Sequence, residues 1–274
     1  MLETAVQKEI LKSPQKRSRM FGIFKSKYNL INSGLMKGMT DVHSHVLPGI
    51  DDGSRNIETS IEMLRLSRNA GVDRMIATPH FYADEDRIEH FLEKREHAYQ
   101  SLIEAVTTEN ISDTPQLLLG AEVAFFDGIG DADKVDRLTI QGTELLLLEM
   151  PFRTWTDEDL LQVKKLIHER QLRIIIAHLE RFMKISGNKP YIKKLMELPV
   201  TIQINAESLS DWKQGGMLIR MFQKRQAHIL GSDCHGVHHR PPNLMEGRQR
   251  LEKKAGADIL AEIDAYGCQL LGLR

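Results

Sequence analysis

From Met39 onward, short apolar runs alternate with amphipathic helical stretches, and this alternation constrains the fold more than any other feature of the chain. It is the pattern of repeated strand–helix units, which pair their strands in parallel. Seven strands are expected. The first ends in Thr40-Asp41-Val42-His43-Ser44-His45. Arg74 to Ala77, Leu117 to Leu119 and Leu145 to Leu148 follow. Arg173 to Ala177, Val200 to Ile204 and Ala227 to Leu230 complete the set. The unbroken apolar run of the fourth predicts a strand buried on both faces. Ile57, Ile61, Leu64 and Leu66 recur at helical spacing before Gly71, which predicts a helix with a glycine stop. Further helices are expected over 88–107, 157–170, 243–253 and 257–266. The fold class is therefore α/β, and 274 residues suit one barrel domain.

Residues 1–36 read as a separate tail, with the barrel domain over 37–274. Lys16, Arg17, Arg19, Lys25 and Lys27 surround Met20, Phe21, Ile23 and Phe24 without sustained periodicity. A solvated arm is the expected reading, with weak membrane or partner docking as the rival and Met20 as an alternative start. The 37 basic and 38 acidic residues nearly cancel, so no basic excess points to nucleic acid. No apolar run is long enough to span a bilayer and no secretory signal opens the chain. Cys234 and Cys268 are too few for a disulfide framework. A cytoplasmic location is expected. Oligomeric state has no sequence signal.

The reactive side chains share one position relative to the strands. Asp41, His43 and His45 end the first strand, and His80 follows the second in Thr78-Pro79-His80. Glu122 follows the third, Glu149 ends the fourth and His178 ends the fifth. Asp233 and His235 follow the seventh. In a parallel barrel those ends converge on one rim, where active sites form. One such residue alone is usually a cap or a satisfied polar group. Together they would repel and stay unpaired unless cations compensated them. In an extended segment, residues i and i+2 share a face, so His43 and His45 can grip one ion, as can Asp233 and His235. Asp41 is either a further ligand or a partner that orients an imidazole. In the turn Pro48 to Gly53, one carboxylate, preferably Asp52, can reach another ion. Nitrogen and oxygen donors without dedicated thiolates suit Mn, Fe or Zn.

The segments Asp41-Val42-His43-Ser44-His45, Thr78-Pro79-His80, Ala177-His178-Leu179-Glu180-Arg181 and Gly231-Ser232-Asp233-Cys234-His235 resemble the PHP (polymerase and histidinol phosphatase) superfamily. Within it, His45 to Gly53 is similar to the bacterial capsule-biosynthesis protein-tyrosine phosphatases. The resemblance covers residues 39–274. It implies a distorted seven-stranded, TIM-like barrel holding two to three ions, commonly Mn²⁺. The implied substrate is the phosphotyrosine tail of a membrane tyrosine autokinase that controls polysaccharide export. It further implies one ion on His43, His45, Glu122 and Asp233, a second on Glu122, Glu149 and His178, and a third on Asp52, His80 and His235. Arg181 and Arg240 match the family's phosphate-binding arginines, and Asp233 joins them as a catalytic position.

Two other readings compete. Cys234 and Arg240 have the Cys-x5-Arg spacing of cysteine-dependent phosphatases, but strand alternation should turn Cys234 away from the rim, so the spacing is read as coincidental. A small-molecule phosphatase of the histidinol-phosphate kind would share the ligands but need a closed polar pocket. A docking protein with a vestigial site would lack ligands, and none is missing. His238 and His239 flank Arg240 near the expected mouth. Phe81 and Tyr82, just after His80, are candidates either for contact with an aromatic substrate or for core or lid packing. His90, His97 and His168 are expected at solvent-facing helical positions, and His228 in the packing.

Overall fold

The computed structural model describes residues 39–272, so the basic tail over 1–36 and Met20 lie outside the described residues. The strands are β1 (Met39–Ser44), β2 (Val72–Ala77), β3 (His80–Phe81), β4 (Gln116–Leu119), β5 (Glu122–Ala124), β6 (Leu145–Glu149), β7 (Arg173–Ile176), β8 (Thr201–Asn205) and β9 (Ile229–Gly231). All ladders between them are parallel. They form a three-stranded sheet ordered β1-β2-β4 and a six-stranded sheet ordered β3-β5-β6-β7-β8-β9. A parallel bridge between Ser44 and Cys234 joins β1 to the end of β9. The amide of Asp233 donates to the carbonyl of His43 at 2.8 Å, and that of His45 to Cys234 at 2.9 Å.

The helices are α1 (Ile57–Asn69), α2 (Ile88–Thr108), α3 (Asp157–His168), the short α4 (Leu179–Phe182), α5 (Asn188–Met196), α6 (Gly215–Gln223), α7 (Leu244–Ala255) and α8 (Ala257–Leu270). Local chemistry sets their starts. The Asn56 side chain accepts from the amide of Thr59 at 2.9 Å to open α1, and Thr156 with Asp159 forms a reciprocal capping box at α3. Helices α5 and α6 and the strands β3 and β5 were not expected from the sequence. Each strand is a short continuation beyond a break, at Thr78-Pro79 and at Gly120-Ala121.

Strand alternation divides the core in two. Leu145 and Leu147 of β6 pack with Val42, Ile76, Ile175, Ala177 and Ile229 in an inner cluster closed by Leu270 and Leu271. Leu146 and Leu148 face the outer cluster beneath the helices. At about 1.5–3 kcal/mol for each fully buried leucine, the four on β6 contribute about 6–12 kcal/mol, as an upper bound. That contribution offsets the cost of holding polar groups at the strand's end, and period two carries Glu149 onto the same face as Leu145 and Leu147.

Candidate metal centre

Each strand end delivers its polar side chain by a different local device. On β1, Val42 lies in the inner core, yet His43 and His45 face the cluster of polar groups above it. A register shift between Asp41 and Ser44 supplies the change of phase. Asp41 accepts from the amides of Ser232, at 2.8 Å, and His43, at 3.3 Å. It thereby ties β1 to β9, and burial pushes its carboxyl up. It holds backbone amides rather than an imidazole, and it belongs to none of the ion-sized donor groups found among the described residues. His178 and Asp233 have positive φ, 27° and 52°, a conformation uncommon for residues other than glycine. A Cβ on Gly53 would lie 2.4 Å from the Cβ of His45, and one on Gly231 would lie 2.7 Å from that of His43. Glycine at these two positions lets the chain close against the histidines.

All nine expected ligands meet in one region. His43 Nε2 is 3.2 Å from His45 Nε2, 3.1 Å from Glu122 Oε2 and 3.5 Å from Asp233 Oδ1. His45 Nε2 is 3.2 Å from Glu122 Oε2 and 3.4 Å from Asp233 Oδ1. Beside these four, His178 Nε2 stands 2.7 Å from Glu122 Oε1 and 3.3 Å from Glu149 Oε1. On the other side, Asp52 Oδ1 is 3.3 Å from His235 Nε2 and 3.5 Å from His80 Nε2. Three overlapping groups can each hold an ion: His43, His45, Glu122 and Asp233; His80, Glu122 and Glu149; and His45, Asp52, His80 and His235. His80 thus reaches two groups, because its Nδ1 lies 3.1 Å from Glu122 Oε2.

The donor set fits small divalent ions. Donors about 2.0–2.2 Å from such an ion stand about 3–3.6 Å from one another in tetrahedral or octahedral shells, the spacing found in the first group. Glu122 Oε2, Asp233 Oδ1 and His80 Nδ1 are buried without a hydrogen bond, although buried polar atoms are otherwise nearly always satisfied. The outer nitrogens explain the ring orientations. His45 Nδ1 is 2.7 Å from Asp51 Oδ2, His43 Nδ1 is 3.3 Å from Gln203 Oε1, and His235 Nδ1 is 3.0 Å from the Asp233 carbonyl. Each outer partner is an acceptor, so in a neutral ring Nδ1 carries the proton and Nε2 turns its lone pair inward.

Electrostatics agree. Burial alone would raise Glu122 and Asp233, but His43 foremost among the neighbouring imidazoles pulls both well below the ordinary carboxylate range. Burial likewise opposes charge on His178, yet Glu122 and Glu149 draw it up to about 9. The cluster demands positive charge, which a divalent cation supplies. At its edge burial, followed by His45 and Arg240, lowers His235 to about 4, favouring its neutral ring.

Arg181 and Arg240 both pair with Asp233 Oδ2, and Arg240 also meets His235 Nε2 at 2.9 Å. Asp233 therefore divides its oxygens, Oδ1 toward the imidazoles and Oδ2 toward the arginines and Asn205 Nδ2 at 2.7 Å. Cys234 packs in the outer core, fully buried. Burial and then the charge of Asp41 push its thiol up, away from thiolate. His238 and His239 are exposed beside Arg240. Phe81 is core packing against Phe91, whereas Tyr82 stacks on His80 at 5.2 Å. His228 is buried and accepts from the amide of Ile202, and His90 is an exposed helical partner of Asp86.

The sequence profile of the family described as capsular polysaccharide synthesis, CpsB/CapC, matches residues 39–269. The chain belongs to this family. It is 31% identical over 232 residues to the tyrosine-protein phosphatase YwqE of Bacillus subtilis, covering 81% of this chain and 87% of the relative. It is 26% identical over 240 residues to the tyrosine-protein phosphatase CpsB of Streptococcus pneumoniae, covering 82% and 94%. A crystal structure from work on YwqE and CpsB, described as metal-dependent tyrosine phosphatases, superposes with a TM-score of 0.73 at 24% identity, covering 86% of this chain and 96% of that one. The Escherichia coli phosphotriesterase homology protein, solved with phosphate in its active site, gives 0.51 at 12% identity, over 86% and 99%, and shares the fold alone. Membership thus bears out the resemblance carried by the motifs.

Proposed function

We propose that this CpsB/CapC-family chain is a metal-dependent protein-tyrosine phosphatase that hydrolyses the phosphotyrosine tail of a membrane tyrosine autokinase controlling capsular polysaccharide. The observation that carries the reading is the clustering of three overlapping ion-sized donor groups, two of which share Glu122, with two guanidinium groups alongside. The names of the relatives supply the substrate class. The proposed ligands are His43, His45, Glu122 and Asp233 for one ion, Glu122, Glu149 and His178 for a second, and Asp52, His80 and His235 for a third. Mn²⁺ is the proposed metal, and the cytoplasm the proposed location. Among the described residues no helix is long and apolar enough to cross a membrane. With β2 and β3 counted as one interrupted strand, and β4 and β5 as another, the strands read as a seven-stranded distorted barrel over 37–274, preceded by a tail over 1–36.

Bound divalent ions supply Lewis acidity toward phosphoryl oxygens and lower the pKa of water. The chain's own work is positional. Asp51 and Gln203 hold the imidazoles of His45 and His43, so their inner nitrogens are preorganised. Arg181 and Arg240, half-buried at the mouth, offer permanently charged planar donors to non-bridging phosphate oxygens. A phenolate leaves readily, which reduces the need for a strong general acid. The exposed Asp52 and Phe152 leave the mouth open, as a peptide substrate requires and a small-molecule pocket does not.

Turnover of a phosphotyrosine peptide should vanish on chelation, return with Mn²⁺ and exceed turnover of histidinol phosphate. Full activity in metal-free protein would sink the metal reading, and preference for histidinol phosphate would install the small-molecule one. Replacing Cys234 by serine should keep at least about a tenth of kcat, a loss under about 1.4 kcal/mol, because this buried thiol faces away from the site. A dead Cys234→Ser variant with its full metal complement would reinstate the cysteine mechanism.

A further inference from the structure

Phe152 is far more exposed than Phe81, Trp155 and Phe182, the buried aromatic rings near the rim. Its side chain is 60% exposed, three residues beyond Glu149 on the loop that leaves β6, and it forgoes the stabilisation of burial. The loop is nevertheless pinned on both sides of it. Trp155 Nε1 donates to the Pro151 carbonyl at 3.0 Å, and Asn188 Oδ1 accepts from the Trp155 amide at 2.8 Å. Arg153 grips Asp159 with two nitrogens, at 2.6 and 2.8 Å.

The ring of Phe152 ends an aromatic column. Buried Trp155 packs on buried Phe182 at 5.5 Å, and Phe182 on Phe152 at 4.8 Å. Phe152 also lies 6.4 Å from the ring of His178 with an interplanar angle of 27°. His178 immediately precedes α4, which carries both Arg181 and Phe182. The open end of the column is therefore beside the phosphate-binding edge of the site. Of the large apolar side chains exposed among the described residues, Leu66, Phe152, Leu161 and Trp212, Phe152 alone has a ring contact with a candidate ligand.

We infer that Phe152 is the platform on which the substrate's aryl ring stacks, and hence a determinant of selectivity for phosphotyrosine over aliphatic phosphate esters. The inference rests on the phosphatase reading. A phosphoryl group held by Arg181 and the carboxylate–imidazole cluster must direct its ester substituent outward, and Phe152 is the rigid apolar face waiting there. Offset or tilted rings with centroids about 4.5–7 Å apart attract beyond the effect of area. Preorganisation spares the cost of ordering the loop on binding.

The test measures inhibition of phosphotyrosine-peptide turnover by phenylphosphonate and methylphosphonate, so that leaving-group chemistry does not enter. Wild type, Phe152→Ala, Phe152→Trp and Tyr82→Ala are compared in Mn²⁺. In Phe152→Ala, phenylphosphonate should weaken about tenfold relative to methylphosphonate, the KM for the peptide should rise more than kcat falls, and tryptophan should restore both. An unchanged ratio, an equal weakening of both inhibitors, or a loss confined to Tyr82→Ala would overturn the assignment. If wild type turns over no phosphotyrosine peptide, the phosphatase reading fails and takes this inference with it, an outcome distinct from an active enzyme indifferent to Phe152.

Discussion

Glu122→Ala is expected to lose bound metal and phosphotyrosine-peptide turnover together, with kcat falling by about a hundredfold to a thousandfold or more. That range corresponds to the several kcal/mol of charge stabilisation that metal ions contribute to such reactions. The reason is positional. Glu122 Oε2 faces His43, His45 and His80, while Oε1 faces His178, so the residue belongs to two of the three donor groups. Stability separates this role from a structural one. A carboxylate needed only to neutralise buried imidazolium would leave a stranded charge, and its loss would cost about 3–5 kcal/mol. As a metal bridge it leaves histidines that give up their protons, and one unbonded buried oxygen disappears with it. The metal-free variant should therefore melt within a few degrees of the metal-free wild type. Metal analysis, turnover and thermal melts of both proteins decide the matter, and normal metal content with normal turnover would show that the bridge lies elsewhere.

The strands were legible because apolar runs are strong signals, and so were the candidate ligands, because most of them lie at or just past the end of such a run. Less of the machinery around them was legible. Glu122 was expected after its strand, yet it begins β5, since the break at Gly120-Ala121 divides one strand direction into two ladders. Helices α5 and α6 have a weak sequence signal because turn-like starts at Gly187 and at Gln214-Gly215 mask short amphipathic runs. For His43 and His45, period two places the pair on one face but does not convey the register shift that brings them over the inner core. Asp51 was passed over in favour of its neighbour, and both have roles: Asp52 faces His80 and His235, while Asp51 holds His45. Gln203 and Asn205 had a readable signal. In Thr201-Ile202-Gln203-Ile204-Asn205 polar residues alternate with isoleucines, and the isoleucines pack outward. That leaves the polar side on the inner face, where Gln203 meets His43 and Asn205 meets Asp233. What no single-sequence pattern conveys is convergence between distant segments, such as two arginines 59 positions apart, at 181 and 240, on one carboxylate oxygen.

That convergence sets the remaining prediction. Removing both arginines, as Arg181→Ala with Arg240→Ala, should lower kcat/KM for a phosphotyrosine peptide by more than either single change but by less than their product of about a hundredfold to ten-thousandfold. Each charge-assisted hydrogen bond is worth about 1.5–3 kcal/mol, or about tenfold to a hundredfold singly. Because both guanidinium groups share Asp233 Oδ2, the two losses should not simply add, so the double variant should fall short of the product of the singles. A purely structural role predicts something else. If the arginines served only to tether Asp233, freeing that carboxylate would loosen the first donor group, and metal content would decline with activity. The geometry favours retention of metal, since Asp233 Oδ1 faces His43 and His45 independently of the arginines and Asn205 still holds Oδ2. Lysine at either position keeps the charge without the planar fork, so Arg181→Lys should recover only part of the loss. Inhibition by inorganic phosphate provides the direct readout, weakening in step with kcat/KM while metal stoichiometry stays at the wild-type value. Unchanged kinetics in the double variant would place both arginines outside the phosphate site, and a matched loss of metal would reduce them to supports for Asp233.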